Sequence, residues 1–278
     1  MKRLFLIEFD KLYANRISRI LVFSYFLLMT SIALIAAIKF DFGPIKFHLA
    51  EQGIFNFPYI WHFNTFIAAW FKLFLAIVIV SMIANEYSNK TIKQNLIDGL
   101  SKKEFLLSKF LMILFLSIVS TLYIFAISLA LGLTFSNYTE LRIIFSEMSY
   151  LLAFFIKLVG FFSFCFFLGV LIKRSAFALG FLILWQAFEG ILYGFMRWNL
   201  FNDEKIADTI AQFFPLNSMN NLITEPFSRL SAVKKVASEI GADFGNHSGV
   251  ALYEILIVVA WICIFIFLSF KLLQSRDL

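Results

Sequence analysis

Apolar runs of about twenty residues recur along the chain between short polar links, and this pattern predicts six membrane-spanning helices. They cover about 20–38, 63–84, 105–135, 150–172, 176–196 and 250–270, each near or above the roughly 20 residues that a bilayer core requires. Residues 105–135 suit a tilted third span with an interfacial extension. Only Lys173, Arg174 and Ser175 separate the fourth span from the fifth, which predicts a tight helical hairpin. The expected fold class is therefore all-α: a polytopic membrane protein with one six-span domain over 20–278 and an outer segment at 197–249. Residues 1–19 mix Lys2, Arg3, Lys11, Arg16 and Arg19 with Leu4, Phe5, Ile7, Phe9, Leu12 and Tyr13. They read as an amphipathic interfacial helix, or equally as a plain juxtamembrane flank. Glu8 and Asp10 interrupt any signal-peptide core, and no small-residue cleavage site follows.

The longest charged stretch between two spans runs from Asn85 to Lys109. Glu86 and Ser88 to Thr91 supply an acidic first turn and capping groups for a helix through Ile97. Ile92 and Leu96, with Ile97, give it an apolar stripe, while Lys90, Lys93, Gln94 and Asn95 give it a wet one. Gly99 suits a helix C-terminus, where a left-handed backbone costs a residue with a Cβ more. Ser101 and Glu104 have the spacing of a capping box for the next helix.

This stretch resembles the coupling segment of ABC-2 type permeases, the membrane subunits of ABC exporters of the second type. The usual pattern is a Glu, a Gly-Thr pair, a leucine run, a Pro, a Ser-Arg corner and a Lys opening the third span. Glu86, Thr91, Leu96, Ser101, Lys102 and Lys109 fall on those places without a gap. Lys90 stands where Gly is usual and Gly99 where Pro is usual. The resemblance extends to the N-terminal helix and to Phe214–Leu222, which is similar to a Pro-containing turn after the fifth span. It implies that segment 85–104 faces the cytosol, with Glu86 anchoring the helix and Gly99 to Ser101 setting the corner. Lys90, Lys93, Lys102 and Lys103, beside Thr91, would meet an ATPase subunit.

Composition agrees with a membrane protein. Hydrophobic residues make up 61% and charged residues 15%, against roughly 45–50% and 25% in soluble domains, and mean hydropathy is +0.84. The net charge of +6 does not mark a nucleic-acid binder, because Lys and Arg crowd the links on one side of the spans. Those links are the N-terminal flank, the coupling stretch, Lys173 with Arg174, and Lys271 with Arg276. The bias places both termini and the coupling segment in the cytosol. Cys165 and Cys263 lie inside apolar runs, where a disulfide framework is not expected.

No phosphate-binding G-x-x-x-x-G-K-[ST], H-E-x-x-H, C-x-x-C or G-x-S-x-G occurs. The expectation is no catalytic residue, no metal and no cofactor, with ATP bound by the partner subunit. His48, His62 and His247 are not at ligand spacing. The remaining chemistry is charge within spans, where an unpaired ion costs roughly 2.5–3.5 kcal/mol. Lys157 is near enough to an outer span end to snorkel. Lys72 and Glu189 are at similar depth with opposite sign, which predicts a pair between spans two and five, either a structural salt bridge or a gate. Gly190 and Gly194 form a G-x-x-x-G that fits a subunit interface and fits internal packing equally. Trp61, Trp198 and Tyr150 occupy the place of an outer aromatic belt.

The resulting expectation is a permease subunit of an ATP-driven exporter in a bacterial plasma membrane, embedded in the lipid bilayer and moving a hydrophobic or amphipathic substrate. Its partners would be a cytosolic ABC ATPase subunit and a second permease subunit, identical or paralogous. A gradient-driven carrier needs ionisable relays and usually an inverted repeat, and no repeat is seen. A membrane scaffold recruiting a cytosolic protein is the other alternative.

Overall fold

A computed structural model describes residues 2–37, 39–42, 45–48, 53–97, 99–138, 140–200, 204–229 and 249–275. Helix α1 (Lys2–Ala14) leads into α2 (Arg16–Ala37), and a hairpin of β1 (Lys39–Phe42) and β2 (Ile45–His48) follows. Next come α3 (Tyr59–Trp70), α4 (Lys72–Ser88), α5 (Thr91–Ile97), α6 (Lys102–Phe135), α7 (Leu141–Ile144), α8 (Ser149–Ile172) and α9 (Ser175–Phe195). A π-helical turn at Met196–Leu200 precedes α10 (Glu204–Ala211) and α11 (Pro215–Asn221). A 3-10 turn at Phe227–Arg229 and α12 (Leu252–Gln274) complete the described chain. The antiparallel hairpin, with Lys39 opposite His48 and Phe42 opposite Ile45, is the one departure from the all-α expectation among the described residues.

Four helical stretches among the described residues are long and apolar enough to cross a membrane: Lys102–Phe135, Leu141–Ile172, Ser175–Leu200 and Leu252–Gln274. The second expected span is two helices, α3 and α4, bent by 45° where they meet at Phe71; taken together they make a fifth crossing. Neither Pro nor Gly stands at this break, whose one polar mark is the charge of Lys72. Helix α2 runs through 20–37 of the first expected span but is not among these candidates.

The axis of the bundle is α8. Its most apolar window is 83% buried, against 17% for those of α9 and α12, and α3, α4, α6, α9 and α12 pack around it. In lipid the drive for such packing is close contact more than release of apolar surface from water, so small residues matter. A Cβ on Gly160 would lie 2.9 Å from Val258 Cγ1 and 3.2 Å from Met219 Cε, and its absence lets α12 and α11 approach α8.

The expected N-terminal segment is divided. Asn15 Oδ1 accepts the backbone N–H groups of Ile17 at 3.0 Å and Ser18 at 3.2 Å, an N-cap that starts α2 four residues ahead of the apolar run. The short α8–α9 corner forms as expected: Lys173 takes the left-handed conformation at φ 63° and α9 begins at Ser175. Trp61 does not stand in a belt. It is fully buried, and its Nε1 donates to the Ile144 carbonyl at 2.7 Å, whereas Trp198 is 82% exposed. Of the expected outer segment 197–249, residues 230–248, with His247, lie outside the described residues.

Candidate functional site: the coupling corner and a cavity among the spans

The Asn85–Lys109 stretch folds as a helix between two turns. Lys90 adopts φ 56°, the left-handed conformation that glycine takes without steric cost, at the position where the resembling pattern has Gly. Helix α5 closes at Gly99, φ 93°, through Gly99 N–H to Leu96 O at 3.2 Å and Leu100 N–H to Asn95 O at 3.0 Å. These are the paired bonds of a Schellman ending. The Ser101 hydroxyl then accepts Glu104 N–H at 3.2 Å, and Glu104 Oε2 accepts Ser101 N–H at 2.9 Å, a complete capping box for α6. The apolar stripe seats Ile92 with Phe105 and Leu273, joined by Leu96 and Leu100. This docks α5 on the start of α6 and the end of α12. Ile97 points away and is 76% exposed, beside exposed Lys90, Lys93 and Lys103.

Glu86 is buried, and it joins four helices. Its Oε1 accepts Lys109 Nζ at 2.8 Å and Lys11 Nζ at 2.7 Å, and its Oε2 accepts Thr91 Oγ1 at 2.5 Å and Asn95 Nδ2 at 3.3 Å. Lys109, fully buried on α6, also donates to Glu8 Oε2 on α1 at 2.5 Å, and Lys11 reaches Glu8 Oε1 at 3.4 Å. Two carboxylates and two ammoniums thus form a closed quartet. Partial burial pulls the Lys11 ammonium pKa down, but its hydrogen bond to Glu86 and the charge of Glu8 outweigh that and hold the group above its ordinary range. Edge contacts of Phe5 and Phe9 with Phe115, at 5.0 and 5.8 Å between centroids, brace α1 against α6. Lys102 Nζ donates to Gln274 O at 3.3 Å, and Lys103 lies over Phe270 at 5.9 Å. Glu8 and Lys11 were not singled out by sequence. Their signal is an acid one helical turn before a base in a mostly basic, amphipathic helix.

Lys72 and Glu189 do not form the expected pair. Glu189 is buried on α9 and accepts the backbone N–H groups of Leu216 (3.1 Å) and Asn217 (2.9 Å) and the indole N–H of Trp185 (2.6 Å). It therefore holds the start of α11, whose free amides need an acceptor. Lys72 instead lies over the Phe161 ring at 4.5 Å. It lines a cavity of about 1020 Å³ that it shares with Lys157, Phe66, Trp70, Phe161 and Leu182.

One wall of this cavity is the stretch from Leu216 to Glu225, pinned from outside by a second cluster. Arg229 makes a two-pronged contact with Glu147, at 3.0 and 2.9 Å, and its Nη1 lies 3.3 Å from His62 Nδ1. His62 stacks on Tyr150 at 4.1 Å, and its Nε2 lies 3.0 Å from Thr224 O. Tyr59 donates to Pro226 O at 2.7 Å. Gly190 faces open space and Gly194 meets only Trp198 of the π-helical turn that continues α9, so among the described residues no separate span uses the G-x-x-x-G.

Among the described residues no group of three or more His, Cys, Asp or Glu side chains is placed to hold a metal. No curated protein matches the chain. The model of a protein family described as ABC-2 family transporter protein matches residues 5–273, nearly the whole length. The bundle, the helix held between two turns beneath it and the cavity among the spans are thus those of a multi-pass transport component, and the chain belongs to the ABC-2 family of transporter proteins.

Proposed function

We propose that this chain is the six-span permease subunit of an ATP-driven exporter, with α2, the bent α3–α4 pair, α6, α8, α9 and α12 as its spans. Both termini and α5 face the cytosol of a bacterial cell. A separate ABC ATPase subunit binds the surface made by Lys90, Lys93, Ile97 and Lys103, where one exposed apolar side chain stands among basic ones. A second permease subunit, identical or paralogous, packs on the open side of α9 that carries Gly190 and Gly194. The substrate is hydrophobic or amphipathic.

The observation that carries this reading is the charge quartet. A surface helix that merely linked two spans has no need of a buried tie, yet Glu86 fastens α5 to α4, α6 and α1 together. A push on α5 is then delivered to the bundle as displacement of three helices instead of bending a loop. Gly99 and the capping box make the corner stiff enough to pass it on.

The test is purification of the intact protein in mild detergent with its associated proteins, beside a Lys93→Glu and Ile97→Asp variant. Both substitutions lie on the exposed face and leave the quartet untouched. An ATPase subunit that accompanies the wild type and is lost from the variant supports the reading. A folded wild type that brings down no ATPase overturns it, and a membrane scaffold or gradient-driven carrier then takes its place.

A further inference from the structure

We propose that the cavity beside Lys72 and Lys157 binds an anionic amphiphile, a single acidic head on an aliphatic body of the fatty-acid kind, entering from the bilayer. As the transported molecule it names the substrate class, and to that extent it rests on the permease reading above.

The charge of the site is unbalanced. Lys157 is only 4% exposed, and among the described residues its one hydrogen bond is a long one, 3.4 Å to the carbonyl of Asn220. Lys72 faces the same space from α4, over the Phe161 ring at 4.5 Å. Among the described residues no carboxylate lies within ion-pair distance of either ammonium. The acid closest in character, Glu189, spends its oxygens on Leu216, Asn217 and Trp185. Glu225 also lines the cavity, but it is exposed, and its Oε2 accepts the Ser228 amide at 3.2 Å. Two amines without a counter-ion therefore share one apolar chamber, where low dielectric disfavours their protonated forms, and a bound anion would stabilise the ammonium form of both.

The rest of the lining fixes the body of the ligand. Phe66, Leu73, Phe161, Leu182 and Ile183 offer aliphatic and aromatic walls, and Gln186 adds an amide donor for the head. Trp70, Leu73 and Ile183 are also among the exposed apolar residues, so the mouth opens on a surface that lipid covers. An acid already dissolved in the membrane reaches the lysines without crossing water. The volume of about 1020 Å³ is at the upper end of small-ligand sites.

The test uses the full chain in nanodiscs of zwitterionic lipid, following tryptophan fluorescence as dibrominated stearic acid or dibrominated stearyl alcohol is added. The acid should bind at least about tenfold more tightly than the alcohol, with Trp70→Phe removing most of the acid-specific quenching. Lys72→Met and Lys157→Met should each reduce the preference, and the double variant should abolish it while alcohol binding persists and reports an intact fold. Equal binding of acid and alcohol to the wild type overturns the proposal, as does a preference that survives the double substitution. ATPase association is scored on the same preparations. A wild type with no preference but with the ATPase bound removes the site alone; a wild-type preference with no ATPase removes the permease reading and leaves the site.

Discussion

Lys109 Nζ lies 2.5 Å from Glu8 Oε2, across 101 positions of sequence, and the lysine is fully buried. Breaking a buried ion pair from one side strands the other charge, typically at about 3–5 kcal/mol. Lys109→Met leaves two carboxylates facing Lys11 alone, and Glu8→Gln leaves an excess ammonium. Both variants should unfold at clearly lower temperature in detergent, whereas Lys93→Glu, on the exposed face, should not. Equal melting of all three would mean that the quartet does not form.

Gly99→Ala tests the corner with little ambiguity, because an added Cβ meets nothing within 4 Å. The whole cost is backbone, about 1–2 kcal/mol for an L-residue held left-handed. Hydrogen exchange of the Leu96 to Glu104 amides should speed up accordingly, with the rest of the bundle unchanged. Lys90→Gly, at the other left-handed position, should shift stability by less than about 1 kcal/mol, since relief of strain is offset by a freer unfolded chain.

A double-mutant cycle on Lys72 and Glu189 should return a coupling within about 0.3–0.5 kcal/mol of zero, the behaviour of independent sites. Glu189→Gln alone should cost roughly 1–3 kcal/mol, because at least one N–H at the start of α11 loses its acceptor. The accompanying sign is faster proteolysis within Pro215–Ile223. Lys72→Met should leave stability nearly unchanged.

Arg229→Met removes both prongs to Glu147 and the contact with His62. A thiol placed at Thr224, exposed beside the cavity, should then react about tenfold faster with a membrane-impermeant reagent, corresponding to some 1.4 kcal/mol of lost closure. An unchanged rate would show that other bonds hold the wall in place.

Much of the corner after α5 was legible because its signals are local. Gly99, the Ser101 to Glu104 spacing and the Ile92 to Leu96 stripe each act within one or two turns, and composition alone places them. Direction around a span was not legible: Lys72 and Glu189 turn to different neighbours, and periodicity in a uniformly apolar helix carries too little contrast to say which. For the same reason Ile97 was grouped with the packed stripe it leaves, and Trp61 was placed at a boundary when its indole serves a carbonyl inside the protein. The partners of Lys109 were hidden differently, since Glu8 belongs to another helix and only tertiary packing selects it.

The tie between Glu8 and Lys109 also sets an order of assembly. At about 5–20 residues per second, the N-terminal helix leaves the ribosome roughly 5–20 seconds before the lysine that completes it. During that interval its carboxylate has water, lipid headgroups and its neighbour Lys11 for company. Helix α1 thus waits through the synthesis of α2 to α5 for the partner that locks it, and the tie can close while α8 to α12 are still to be made.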